Sequence, residues 1–376
     1  MKIDQARWLP GSGWDPDSRP APASLVLAFG SPTIMADPAA FRTVRDRYPD
    51  ARVVGCSTAG NILDATLSDD DLTVAALALE HGSVRIAARI VTGGRGEARE
   101  VGRSLAGELG DGNLRLLFVL ADGLAVNGSE LAAGLAADLP PGVTVTGGLA
   151  GDADKFKKTW VMADGPARQG QIVAAGFYGM GLQVKTGCFA GWEEFGPQRL
   201  VTRAQGNEVF TIDDQPALDL YKRFLGAQAG GLPASGLRFP LSIHGTRDGP
   251  PLIRTLLRVD EERHSLTFAG DVPEGHFCRL MKTNLDRLVE HAGLAAAAAS
   301  QPGDAPTLAL LVTCVGRRLV LGQLTEEELE AVRHHLGPAA RIAGFYSYGE
   351  LAPAAGTAPA CHLHNQTLTL ATLREA

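Results

Sequence analysis

The sequence predicts a mixed α/β fold of α+β character: two related halves of mixed β-sheet, covered by helices and related by a pseudo-twofold axis. Three observations predict it. Short apolar runs such as Leu25–Gly30, Leu114–Ala121 and Thr307–Val315 read as buried strands, because they are too short for helices and are bounded by turn residues. Segments with helical periodicity, Glu97–Leu109 and Leu285–Ala299, stand between them. The order hairpin, helix, strand, helix, strand, glycine-rich turn occurs twice, with matching elements roughly 190 to 200 residues apart.

Each element has a local reason. Residues 1–22 are rich in Pro, Gly and Asp and predict an irregular arm; a first domain with connecting strands is expected over 23–225 and a second over 226–376. After Leu25–Gly30, Asp37-Pro38 reads as an N-cap with proline in the first turn of a helix running to Arg47. Ala51–Cys56 is the next strand. Leu72–Leu79 and Val84–Val91, split by His81-Gly82, predict a hairpin. Gly110 stops the helix begun at Glu97, and Ser129 caps another that reaches Leu139. Val143–Thr146, Thr159–Ala163, Gln171–Tyr178, Leu182–Cys188, Arg199–Ala204 and Glu208–Ile212 follow as strands, then a helix from Pro216 to Leu225 and a Gly/Pro-rich surface connection over 226–251. Leu252–Val259 and Ser265–Ala269 predict a second hairpin. Thr325 with Glu328 forms a capping-box pattern for a helix to Leu336, and Arg341–Phe345 is a strand leading into Tyr346–Glu350.

Composition narrows the function. The 376 residues are 45% hydrophobic and 20% charged, as in globular proteins, and the net charge of -7 opposes general nucleic-acid binding. The five cysteines show no CxxC spacing, so neither a zinc site nor a redox dithiol is expected. There is no signal-peptide pattern and no run long enough to span a membrane, which predicts a cytoplasmic protein. The 45 glycines cluster at strand ends, where backbone can line a pocket.

Candidate site residues gather in these turns. Gly55, Cys56, Ser57 and Thr58 offer backbone N–H groups, two hydroxyls and a thiol to a small anion; the alternative is a tight turn at a buried strand end. Gly147, Gly148 and Asp152 form a second such turn. It leads into charged residues instead of a clear helix, so it fails as a dinucleotide loop. Cys314 reads either as a buried apolar side chain or as a thiolate activated by Arg317. Arg317 reads as a carboxylate or phosphate clamp, or as one half of an internal ion pair with Glu350. Alternation sends Tyr346 and Tyr348 to one face, to stack on a planar ligand while Ser347 and Glu350 contribute polar contacts, or to pack as a core cluster. Asn365 touches ligand or fixes the Gly344 loop. Cys314, His364 and Asn365 supply the residue types of a thiol hydrolase, without a surrounding nucleophile motif. Asp69-Asp70-Asp71 reads as a solvated turn before it reads as a cation site.

Five segments taken together resemble the FIST family. They are Val53–Gly60; Ala121–Leu124 with Gly147–Asp152; Val201-Thr202 through Tyr221; Cys314–Arg317; and Gly344–Glu350 with His364–Thr367. The resemblance divides the chain into FIST-N and FIST-C domains. It implies a cytoplasmic signal-input module that binds a small ligand, an amino acid or other small polar anion, at the turns named above. It also implies an output through a partner protein: a histidine kinase, a cyclic-di-GMP enzyme or a chemoreceptor. No cofactor is expected. One alternative implied by the family is a haem-binding nitric oxide sensor; another is a thiol-dependent enzyme using Cys314.

Overall fold

The computed structural model describes residues 1–94, 96–247, 250–301, 303, 307–353 and 361–375. Residues 248 and 249 of the expected 226–251 connection lie outside the described residues.

Apolar strands with no polar face must be covered on both sides, and the chain achieves this three times. In each case two parallel strands are joined by a helical crossover, as parallel pairing requires, and a third strand lies antiparallel beside the first of the pair. In unit one, Leu25–Gly30 lies between its parallel partner Arg52–Ser57 and the antiparallel Leu72–Ala78, and Lys2–Leu9 flanks the latter. In unit two, Leu114–Ala121 lies between Thr144–Leu149 and Gln171–Tyr178, with Ser83–Ile90 outermost. In unit three, Thr307–Cys314 lies between Ala340–Ser347 and Leu368–Glu375, with Leu182–Phe189 outermost.

Helices Ala39–Arg47, Gly128–Asp138 and Thr325–Leu336 lie on the three crossovers. In units two and three an extra helix, Glu97–Leu109 or Leu285–Ala299, packs against the crossover helix. Between strands Leu182–Phe189 and Thr307–Cys314, unit three carries an inserted eight-stranded sheet that includes Glu193–Gln205 and Phe277–Lys282. Around helix Ala217–Leu225 the insert has its own core, with Val201, Tyr221, Leu266 and Phe268. The expected boundary at 225/226 falls inside this insert.

The units are locked by exchange. After its second parallel strand, each unit hands a short strand to a neighbour's sheet. Asn61–Leu63 of unit one pairs with Ala340–Ser347 of unit three. Glu350–Pro353 of unit three pairs with Thr144–Leu149 of unit two. Val161–Ala163 of unit two pairs with Arg52–Ser57 of unit one. The cycle closes through backbone bonds at equivalent places: Ala59 N–H to Tyr346 O at 2.8 Å, Tyr348 N–H to Leu149 O at 3.0 Å, and Gly151 N–H to Ser57 O at 2.9 Å. All three sheets meet over one apolar core containing Leu27 and Phe29, Phe118 and Leu120, and Val312 and Phe345; Phe29 stacks on Phe345 with centroids 5.0 Å apart.

Mixed sheets covered by helices match the expected fold class. The repeat number differs, because three units in a cycle replace two halves about a pseudo-twofold axis. The two copies visible in sequence are units two and three; unit one lacks the extra helix and so escapes an order-based search. Three smaller expectations also change. The arm over 1–22 contains Lys2–Leu9, a strand held between Leu72–Ala78 and the edge strand Gly13–Asp15, whose register with the former supplies the order its composition does not suggest. Leu72–Ala78 and Ser83–Ile90 form no hairpin, since the turn between them is a unit boundary and the two strands lie in different sheets. Thr325 does not close a capping box: its hydroxyl donates to Gly322 O at 2.6 Å, while Glu328 turns inward.

The units share one steric signature. Gly55, Gly147 and Gly344 occupy equivalent places on the second parallel strand, and a Cβ on each would lie 2.1, 1.9 and 1.7 Å from the carbonyl oxygens of Ala28, Val119 and Leu311. Gly344→Ala is therefore expected to destabilise the protein by on the order of 3 kcal/mol in denaturant unfolding. The control Gly107→Ala, in an exposed helix position with open space around it, should instead stabilise by about 0.5–1 kcal/mol.

Candidate functional site

Where the insert meets units two and three, the structure leaves a cavity of about 540 Å³. Its walls are apolar. Leu256 and Leu257 come from the insert's strand Leu256–Asp260, Leu237 from the segment before it, Val315 and Leu319 from helix Val315–Leu321, and Leu124 from unit two. Phe156 stacks on Tyr348 with centroids 4.4 Å apart and planes 13° apart, and both rings line the cavity. The Phe156 loop is held under backbone strain, with φ of +63° at Ala153 and +50° at Phe156. Asp152 fixes it by accepting from the Lys157 and Lys158 N–H groups at 2.8 Å each, and the Tyr348 hydroxyl donates to the same carboxylate. A smaller cavity of about 390 Å³ continues past Leu257 and Phe156 toward Asn127, Asn207 and Asp271.

The polar groups of the larger cavity are unusual. Asn365 is fully buried on the turn before Leu368–Glu375, and neither its amide nitrogen nor its amide oxygen has a hydrogen-bond partner. The Thr255 hydroxyl, on a residue 5% exposed, also lacks one. An unpaired buried polar group costs roughly 1–3 kcal/mol, and all three of these atoms belong to residues that line the cavity. Cys314 lines the same space, with its thiol pushed well above the ordinary range by burial.

Of the fourteen residues singled out from sequence, Cys314, Tyr348 and Asn365 line this cavity. The others are placed elsewhere, mostly at the joints of the three-unit ring. Gly55, Gly147 and Gly148 lie against neighbouring chain, and the Cys56 thiol is buried in the core and pushed up by desolvation. The Ser57 hydroxyl donates to Gly151 O at 2.8 Å, and the Thr58 hydroxyl donates to Asn61 Oδ1 at 2.6 Å. Thr58 borders a separate polar cavity of about 480 Å³, where Arg318 is already paired with Asp69 at 2.7 Å. Asp71, two residues beyond that aspartate, accepts from Asn61 and Ser68 inside the protein.

Arg317 is the largest departure. It is fully buried and pairs with Glu328 at 2.7 Å, not with Glu350; its remaining donors reach Ala190 O and Leu288 O. Tyr346 donates to the same Glu328 at 3.3 Å, whereas the Tyr348 hydroxyl reaches Asp152 and Ala153 O. The alternation breaks because the chain leaves one sheet after Ser347 and enters another at Glu350. Ser347 and Thr367 donate to Glu350 at 2.8 Å each, and burial pushes the Glu350 carboxyl up to about 7. His364 faces Cys188 at 3.8 Å and Ala352 O at 3.2 Å, and burial pushes its pKa down to about 3. The imidazole that a Cys314 nucleophile would need is thus engaged with another thiol.

Thr255, Leu257, Leu237, Leu124 and Phe156 were not anticipated. Leu124 closes the family-like segment Ala121–Leu124 and Phe156 stands as an aromatic residue among lysines and aspartates; Thr255, Leu257 and Leu237 become neighbours of the site only when the insert docks.

Two predictions follow from these placements. Arg317→Met leaves Glu328 buried without its cation and should cost about 3–5 kcal/mol in chemical unfolding, as expected for half of a buried pair. Glu350 binds its proton more tightly folded than unfolded. Its contribution is therefore present at low pH and lost as pH rises from the ordinary value of 4.5 to about 7. The stability of Glu350→Gln relative to the parent should rise by about 3 kcal/mol over that window, in unfolding curves at stepped pH.

The FIST N domain matches residues 24–215 and the FIST C domain residues 217–353. No curated protein matches the chain. Among solved structures, a chorismatase crystal structure aligns over 100% of this chain and 99% of its own, at 10% identity and a TM-score of 0.40. The two domain matches are consecutive and span all three units up to the exchanged strand Glu350–Pro353, and on them the chain belongs to the FIST family.

Proposed function

We propose that the protein is a small-ligand sensor whose ligand occupies the cavity between the insert and units two and three. FIST domains are signal-transduction sensor domains. The observation that carries the proposal is the unpartnered Asn365 amide, buried at an apolar cavity of ligand size. The lining includes no Lys, Arg or His among the described residues, so the anion clamp expected at Arg317 gives way to an apolar body with a neutral polar end. A haem reading finds no axial histidine in that lining, and a thiol-enzyme reading finds Cys314 in its protonated form.

The ligand would touch both the insert, which has its own core around helix Ala217–Leu225, and the three-unit ring, to which the apolar cluster of Trp192, Ile253, Met281, Leu288, Val320 and Leu321 joins it. Binding then biases their relative placement by its differential contact with each arrangement. A cytoplasmic partner, a histidine kinase, cyclic-di-GMP enzyme or chemoreceptor, would read that placement. No helix among the described residues is long and apolar enough to cross a membrane.

Native mass spectrometry of gently purified protein should detect a retained small molecule. Ala234→Trp, which fills the cavity from its exposed edge, should abolish retention while leaving the unfolding midpoint of the ligand-free protein unchanged. Retention undiminished in that variant would place the ligand elsewhere.

A further inference from the structure

The groups left unbonded in the cavity specify more than its size, provided that the cavity is the ligand site proposed above. A carboxamide presents one donor and one acceptor side by side, whichever way its ends are assigned. Asn365 has both free and is held rigidly. It leads a turn in which Gln366 has φ of +58°, Trp192 Nε1–H donates to Gln366 O at 2.9 Å, and Thr367 O accepts from Cys314 N–H at 3.2 Å. A carboxylate on a ligand only accepts and satisfies one atom of such a pair, and a hydroxyl must bend both of its bonds to a single oxygen. An edge that carries N–H beside C=O satisfies both atoms at once.

The surroundings agree. The Tyr348 hydroxyl is committed to Asp152, so this residue offers the cavity its ring, which Phe156 extends by parallel stacking. The only ionisable residues lining the cavity, among those described, are Asp154, Cys314 and Tyr348, and none is a cation. Burial holds the last two protonated. Anionic ligands find no counter-charge, whereas a neutral planar heterocycle finds apolar walls, an aromatic surface and a complementary edge. The Thr255 hydroxyl supplies one further polar contact at the insert side.

We infer that the cavity recognises a neutral planar ligand of the lactam or nucleobase type, whose cis-amide edge pairs with the Asn365 carboxamide.

Calorimetric titration of the full chain with three probes tests this: 2-quinolone, which has the N–H and C=O edge; N-methyl-2-quinolone, which keeps only the acceptor; and quinoline-2-carboxylate, an anion of similar size. 2-Quinolone should bind about ten-fold or more tightly than either of the others. In Asn365→Leu, its advantage over the N-methyl compound should fall below about two-fold. The same test runs on unaltered protein: in ¹⁵N-labelled parent, the Asn365 side-chain amide signals should shift with 2-quinolone and not with the N-methyl compound. Equal affinity for the two quinolones, tightest binding of the carboxylate, or no amide shift because buried water alone satisfies Asn365 overturns the edge pairing and leaves the cavity reading standing. Absence of binding by all three probes, with the Ala234→Trp variant retaining its small molecule, overturns both.

Discussion

The structure depends on a closed exchange of backbone hydrogen bonds. Each of three sheets is completed by a strand from a neighbour, and the handovers form a cycle through Ala59 and Tyr346, Tyr348 and Leu149, and Gly151 and Ser57. Backbone at such a crossing is fully buried, so every N–H and C=O there needs a protein partner. The chains must also approach more closely than a side chain allows, which accounts for the equivalent glycines at 55, 147 and 344. The ring thereby fixes where the turns Gly55–Gly60, Gly147–Asp152 and Tyr346–Glu350 lie.

That constraint separates two kinds of buried polarity. Around the ring, polar side chains are satisfied internally: Ser57 on Gly151 and Trp160, Thr58 on Asn61, Glu350 on Ser347 and Thr367, Arg317 on Glu328. These are structural networks, and each member is costly to remove because its partner is left behind. At the cavity, Asn365 and Thr255 are buried and unsatisfied. Other unpaired atoms, Arg47 Nε, Arg199 Nε, Arg279 Nε and Gln366 Oε1, belong to side chains that bond through other atoms, whereas both ends of the Asn365 amide are unpaired.

The insert makes the proposed site possible. The ring alone presents the Cys314–Leu319 edge and the Tyr348 ring; only the docked strand Leu256–Asp260 and the segment around Leu237 enclose them. The insert has its own core, and a smaller apolar cluster of Trp192, Ile253, Met281, Leu288, Val320 and Leu321 seats it on unit three. The proposed ligand would sit beside that seam, in contact with both bodies.

The sequence by itself determined most core strands, most helices and the family, but not strands such as Lys2–Leu9, Leu241–His244 and Phe277–Lys282. Apolar runs and helical periodicity are local properties, and Glu97–Leu109, Leu114–Ala121, Gln171–Tyr178, Glu208–Ile212 and Leu285–Ala299 form just as those patterns require. It also marked the glycine-rich turns, but it could not say whether they hold ligand or neighbouring backbone, since glycine serves both. The repeat number, the Glu328 partner of Arg317, the opposed directions of Tyr346 and Tyr348 and the role of Thr255 were decided only by tertiary structure. Each depends on which strand crosses into which sheet, and that choice is set by burial across the whole molecule, not by any stretch of neighbouring residues.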